Sequence, residues 1–280
     1  MAFAESSRAA WSPPKGSYAR CRHWARSQAL RISALRQPSA SQDNFVRCVY
    51  GHATFADTAE TIRGFVRTVR DRGDFIDTAT LIEMMASGAK PDGRHIHLSF
   101  DDGFANVLEV GGDIFEAARV PYTMFISTDL IGADEATISG YFASMTAYRS
   151  PIRTMTWAQV RSISSSLAEI GCHTRTHARL SDISDDPARL ADEIAGAKRI
   201  IEGHTGRPCT SFAWPYGTMA DIDETAIAAI ADAGFLINFS AIRGAVHPGT
   251  TDMMNVPRHQ IEFHWPPHEL ALWANGYLEK

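Results

Sequence analysis

The chain has 280 residues, enough for one large domain or two small ones, and 45% hydrophobic content can supply a substantial core. Its 27 Lys and Arg against 32 Asp and Glu give a formal charge of -5, without the basic excess of a nucleic-acid binder, so a polyanionic partner is disfavoured. No window approaches ~18 uninterrupted apolar residues, and the opening MAFAESSRAAWSPPKG lacks a signal core, so the expectation is a soluble, cytoplasmic protein without a transmembrane segment.

Residues 1–44 are rich in Ser, Ala, Arg and Pro and lack strand-like runs, which predicts a partly irregular or helical N-terminal extension. Within it, residues 21–36 carry Arg22, Arg26, Arg31 and Arg36 among apolar residues. That pattern fits a basic amphipathic helix on a membrane surface, or, as the favoured reading, a tail helix packed on its own domain. The four cysteines, Cys21, Cys48, Cys172 and Cys209, form no CxxC pair and read as free thiols.

From Phe45 the pattern becomes regular, which places a catalytic domain at 45–280. Apolar runs over 45–50, 95–100, 122–127, 168–173, 211–215 and 235–240 read as strands. Helical periodicity covers 58–72, 190–202 and 223–233. Alternating strands and helices predict an α/β domain with a mainly parallel sheet, whose chemistry belongs in the loops at the strand C-termini.

Three such loops carry reactive side chains. In HIHLSFDDGFAN a buried strand runs into Asp101 and Asp102, and Gly103 allows a sharp turn. Adjacent carboxylates repel, and a cation removes that penalty, although Asp-Asp-Gly is also a common surface turn. In GCHTRTHA, His173 and His177 lie four apart; a helical turn would put both imidazoles on one face, and with a carboxylate they would form a three-ligand metal site with an open position. Two of eleven histidines also fall four apart by chance. Cys172, next to His173 on a strand, should point the other way as a buried inert thiol. In SFAWPYG, Pro215 and Gly217 bracket Tyr216 in a tight turn.

SFDDG, HTRTH and FAWPYG occur in that order, each after a predicted strand. Together with FVRCVYGH, VPYTMFIST, MTWAQV and NVPRHQI, they make residues 45–262 resemble the polysaccharide deacetylases of carbohydrate esterase family 4, whose shared unit is the NodB homology domain. The resemblance implies a distorted (β/α)7-like barrel and a metal-dependent hydrolase removing N-acetyl groups from an amino sugar in a polysaccharide, oligosaccharide or sugar precursor. It implies Asp101 as catalytic base and Asp102, His173 and His177 as ligands of a divalent metal, usually Zn2+, with Co2+, Ni2+ or Mn2+ as alternatives. Tyr216 matches the residue whose backbone N–H helps bind the oxyanion, and Arg258 matches an arginine expected to pair with Asp101.

Many members end with a Leu-x-His motif supplying the general acid, and nothing after Arg258 reads that way. The sequence is more similar to a permuted branch, the poly-N-acetylglucosamine deacetylases, in which that histidine follows an N-terminal strand. His52 in Tyr50-Gly51-His52 is then the candidate acid, although Gly51 separates two residues that the branch usually has adjacent. His95 and His97 share one strand face and are expected to pack rather than react, while His259, His264 and His268 are expected in an exposed loop. Residues 129–156 are expected to shape a substrate groove. The same site on a non-sugar amide is the alternative reading, and a non-catalytic carbohydrate-binding relative is a further one.

Overall fold

The computed structural model describes residues 2–13, 16, 21, 25–32, 44–143, 145, 147–163 and 167–276. Eight strands form one sheet: β1 (Phe45–Gly51), β2 (Asp74–Ile76), β3 (Arg94–Phe100), β4 (Tyr122–Ile126), β5 (Ala168–Cys172), β6 (Ser211–Ala213), β7 (Ile237–Phe239) and β8 (His259–Gln260). Seven lie on one continuous path in the order β7-β6-β5-β4-β3-β1-β8, and β2 pairs with β3 off that path. Each pairing between these strands is parallel, as in Phe45 opposite Arg94 and Val49 opposite His259. The result is a curled α/β half-barrel with helices packed outside, the NodB-type barrel that the motifs implied.

Strand alternation explains which side chains reach the interior. Odd residues of β1, such as Phe45 and Val49, join the large core between sheet and helices, whereas Val46 and Cys48 join a smaller core inside the curl. Tyr50 and His52 continue that inner row, because residues two apart share a strand face. In β3, Ile96, Leu98 and Phe100 pack outward, so His97, Ser99 and Asp101 face inward. In β5, Ala168, Ile170 and Cys172 pack outward and His173 faces inward.

The helices at 59–70 and 224–232 lie within the predicted segments 58–72 and 223–233, and Asp223 caps the second by accepting from the Ala226 N–H. The pattern over 190–202 is one part of a longer element. Pro187–Ala191 and Ala197–Thr205 are α-helical, and Asp192–Gly196 between them is a π-helical turn. Strands β2 and β8, of three and two residues, were not expected, nor was the helix Thr78–Ser87.

Part of the N-terminal extension lies across the barrel mouth. Ser7–Ala10 is a short helix, and Ala10 is fully buried against Phe55, Phe104 and Ile152. Of the stretch 21–36, residues 25–32 are helical and Cys21 is exposed, while the rest lies outside the described residues. Cys48, Cys172 and Cys209 are buried, and none forms a disulfide. Among the described residues, no helix is long and apolar enough to cross a membrane.

Candidate metal centre and active site

The loops leaving β1, β3, β5 and β6 meet at the C-terminal end of the sheet, and the segment around β8 closes the ring. Asp102, His173 and His177 converge there, all buried, with ligand atoms within 4.8 Å of one another. Asp102 Oδ1 lies 3.6 Å from His173 Nε2 and 3.4 Å from His177 Nε2. His173 donates its Nδ1–H to the Ala213 carbonyl at 2.6 Å, which leaves the Nε2 lone pair directed at the cluster. Burial holds His173 largely neutral, with its pKa pushed down to about 4. Burial works to raise the Asp102 carboxyl, but His177, His52 and His173 outweigh it and hold the group ionised below the usual carboxylate range. Two imidazoles and one carboxylate in a buried triangle are a donor set that fits a divalent transition metal.

The histidines meet without the helical turn that would put i and i+4 on one face. Residues 173–179 are non-helical, and the chain reverses through left-handed conformations at Thr174 (φ 65°) and His177 (φ 61°). Five non-glycine residues have positive φ among the described residues, and four of them, Asp102, Thr174, His177 and Tyr216, belong to this centre. Left-handed backbone is costly outside glycine, so surrounding contacts must hold it. Glu193 supplies such contacts. Its buried carboxylate accepts from the Arg175 N–H at 3.0 Å, the Thr176 N–H at 2.9 Å and the Thr176 hydroxyl at 2.6 Å. The π turn at Asp192–Gly196 aims Glu193 at that loop, a common use of such a bulge.

Asp101 sits beside the triangle and is held from the other side. Arg258 donates from Nη1 to Asp101 Oδ1 at 2.8 Å and from Nη2 to Oδ2 at 2.9 Å, with both residues buried. The same guanidinium donates to the Ser99 hydroxyl at 3.1 Å and the Ser240 carbonyl at 2.8 Å, and lies 4.3 Å from the Tyr50 ring centroid. Fixed in this way, Asp101 offers an oriented carboxylate next to the Asp102, His173 and His177 triangle.

His52 lies opposite, and Gly51 does not displace it. Tyr50 and His52 both line the cavity, their rings edge-on with centroids 5.6 Å apart. The Nδ1 of His52 is 2.5 Å from Oε1 of Glu262, whose side chain is 2% exposed. Burial alone would lower the His52 pKa, but the Glu262 carboxylate overcomes it and pushes the imidazole up to about 9. That direction favours the protonated ring at neutral pH.

Tyr216 is 43% exposed at the cavity rim, with its ring edge-on to His177 and 4.4 Å from the Arg179 guanidinium. Gly217 follows with φ 74°, where an added Cβ would collide with Ala241. The cavity has a volume of about 250 Å3, and Tyr141, Met145, Ala147 and Tyr148 line it, so the segment 129–156 does contribute a wall. Neither His95 nor His97 lines it. His97 is buried, lies 3.1 Å from the Thr78 hydroxyl and stacks on Phe239 at 5.1 Å.

Glu262, Glu193, Trp11, Tyr141 and Tyr148 were not singled out in the sequence. The expectation of an exposed loop holding His259, His264 and His268 fails for two of them. His259 is buried in β8 and His268 is half-buried in the helix Pro267–Ala274, because the chain returns to pair with β1 and then packs on the barrel. His264 is exposed and lies tilted against Trp11 at 4.9 Å.

Residues 88–237 match the family model for polysaccharide deacetylase. That span holds Asp101, Asp102, His173, His177 and Tyr216, and leaves His52, Arg258 and Glu262 outside. Comparison with curated proteins finds no match. Solved structures of similar fold include IcaB from Ammonifex degensii, at 19% identity and a TM-score of 0.65, covering 83% of this chain and 98% of that one. The Streptococcus pyogenes deacetylase PplD in complex with acetate is 14% identical with a TM-score of 0.64, covering 82% and 97%. The deacetylase domain of BpsB from Bordetella bronchiseptica is 19% identical with a TM-score of 0.60, covering 80% and 98%. At such identities these likenesses show the fold.

Proposed function

The chain belongs to the polysaccharide deacetylase family, and from that membership and the geometry of its centre we propose that it is a metal-dependent hydrolase removing N-acetyl groups from an amino sugar. The observation that carries the reading is the buried Asp102, His173 and His177 triangle beside a carboxylate, Asp101, clamped by Arg258. Residues 45–280 would form the catalytic domain and 1–44 its extension.

Asp102, His173 and His177 would hold the metal, most simply Zn2+. When bound, such an ion polarises an acyl carbonyl and lowers the pKa of water towards ~7. Asp101 takes the proton from the attacking water, its oxygens kept in place by the two Arg258 donors. The Tyr216 N–H donates to the oxyanion, a contact worth about 2.7–4 kcal/mol of barrier when one such donor is removed. His52 delivers a proton to the departing nitrogen, and Glu262 keeps its Nδ1–H occupied so that Nε2–H is the one released. Acetate release from N-acetylglucosamine oligomers, measured before and after chelation and metal restoration, tests the reading. Equal release with the metal stripped would sink it.

The His52 and Glu262 pair gives a prediction in pH. With the His52 pKa near 9, activity is expected to hold through neutral pH and fall as pH rises through about 9, where the acid loses its proton. In Glu262→Gln the strongest influence opposing burial is gone and only the Asp102 and Asp101 charges still raise the imidazole, so the alkaline limb of kcat/KM should move down from about 9. The sign for stability is the same. The folded value lies above the unfolded one, so the pair's contribution is complete below pH 6.5 and is lost as pH rises through about 9. An unchanged alkaline limb in Glu262→Gln would remove the pair from the proton transfer.

A further inference from the structure

The segment 2–12 is tied down on both sides. Ala4 N–H donates to the Pro151 carbonyl at 2.8 Å, Ser12 N–H to the Ala147 carbonyl at 2.8 Å, and the Ala10 carbonyl accepts from Arg149 N–H at 2.7 Å. Trp11 forms an antiparallel bridge with Tyr148, and the Ser7 hydroxyl donates to Asp57 at 2.9 Å. The chain thereby delivers one large side chain, Trp11, to the cavity beside His52.

Two aromatic rings pack against the Trp11 ring. Tyr148 stacks on it at 4.6 Å and 27°, and His264 lies tilted against it at 4.9 Å and 31°, so the indole is part of a wall rather than a free platform. Its ring is nearly perpendicular to His52, with centroids 6.1 Å apart. A continuous polysaccharide needs a groove open on both sides of the reacting ring. Here one side of the candidate acid is walled, and the remaining volume of about 250 Å3 lies below the roughly 300–1,000 Å3 of ordinary ligand pockets. That space suits one acylated ring.

We propose that Trp11, held by the N-terminal segment, is a specificity-determining residue that admits the acylated amino sugar end-on, as a chain terminus or a short soluble molecule, and excludes the interior of a polymer. The proposal rests on the reading of the centre as an amino-sugar deacetylase. Trp11 touches the acid's surroundings and not the proton in transit, so its removal changes which ring is presented rather than the chemistry.

The test uses the metal-loaded full chain and a pentamer of β-linked N-acetylglucosamine, with mass spectrometry locating the rings that lose acetyl. The wild type is expected to release acetyl from a terminal ring only. Trp11→Ala should raise the internal-to-terminal ratio by about tenfold, the scale on which a change in pocket shape alters selectivity. Asp57→Ala, which keeps the indole but removes one tie of the segment that holds it, should raise the ratio in the same direction, and it serves if Trp11→Ala fails to fold. Internal release by the wild type, or an unchanged ratio in the folded variants, overturns the wall alone. No release from any ring by the metal-loaded wild type overturns the wall together with the reading beneath it.

Discussion

Asp101→Asn is expected to keep its metal while kcat/KM on an N-acetyl amino sugar falls about a thousandfold, within the range for loss of a general base. Asn retains the shape of Asp and one acceptor oxygen, so Arg258 and Ser99 can remain near their places, but it cannot take a proton. The metal triangle does not use Asp101, so the loss should be in turnover and not in loading. His173→Ala is the contrasting variant: it removes an imidazole whose Nδ1–H is fixed on Ala213, and should lose metal and activity together. Metal content by emission spectroscopy beside acetate release separates the two. If Asp101→Asn remains fully active, the base is elsewhere; if it loses its metal, Asp101 is a ligand.

The parts of the centre legible in the sequence are those that sit immediately after long strands. Asp101 and Asp102 follow β3 and His173 follows β5, and alternation along each strand predicts which way the last side chain points. Their clustering, with His177, is where motif order pointed. The local geometry of the histidine pair is not legible in its spacing. A helical turn would have brought His173 and His177 together, whereas the chain does it with two left-handed residues and a buried glutamate from a π turn. No local pattern announces that device, because Glu193 lies in an ordinary helical repeat and its partners are 17 and 18 residues away.

Distance in sequence hides the remainder. Glu262 meets His52 across 210 residues, and nothing in IEFHW marks a carboxylate destined for burial. Trp11 lies in a stretch whose composition argues only for a partly irregular or helical extension; its bridge to Tyr148 depends on backbone pairing that has no periodicity to read. Strands β2 and β8 are three and two residues long, too short for an alternating pattern, and they exist because longer neighbours template them. Arg258 was placed by resemblance, and only the fold explains how a residue 157 positions from Asp101 can be its partner: β8 lies beside β1, and β1 beside β3.

That partnership carries the second large effect. Arg258→Gln is expected to destabilise the fold by about 3–5 kcal/mol, the usual consequence of removing one side of a buried ion pair. For a domain of this size that corresponds to a melting temperature lower by about 10 °C. The guanidinium has four hydrogen bonds and a ring contact with Tyr50, and Asp101 would be left buried with no cation against it. Lys should not rescue, because an ammonium cannot span both carboxylate oxygens while holding the Ser240 carbonyl. The cause can be isolated by adding Asp101→Asn to Arg258→Gln. If the uncompensated carboxylate is the source of the loss, the double variant recovers part of the melting temperature and none of the turnover. Equal melting of Arg258→Gln and the wild type would show that the pair does not stabilise the fold, and would leave Arg258 with the orientation of Asp101 as its one contribution.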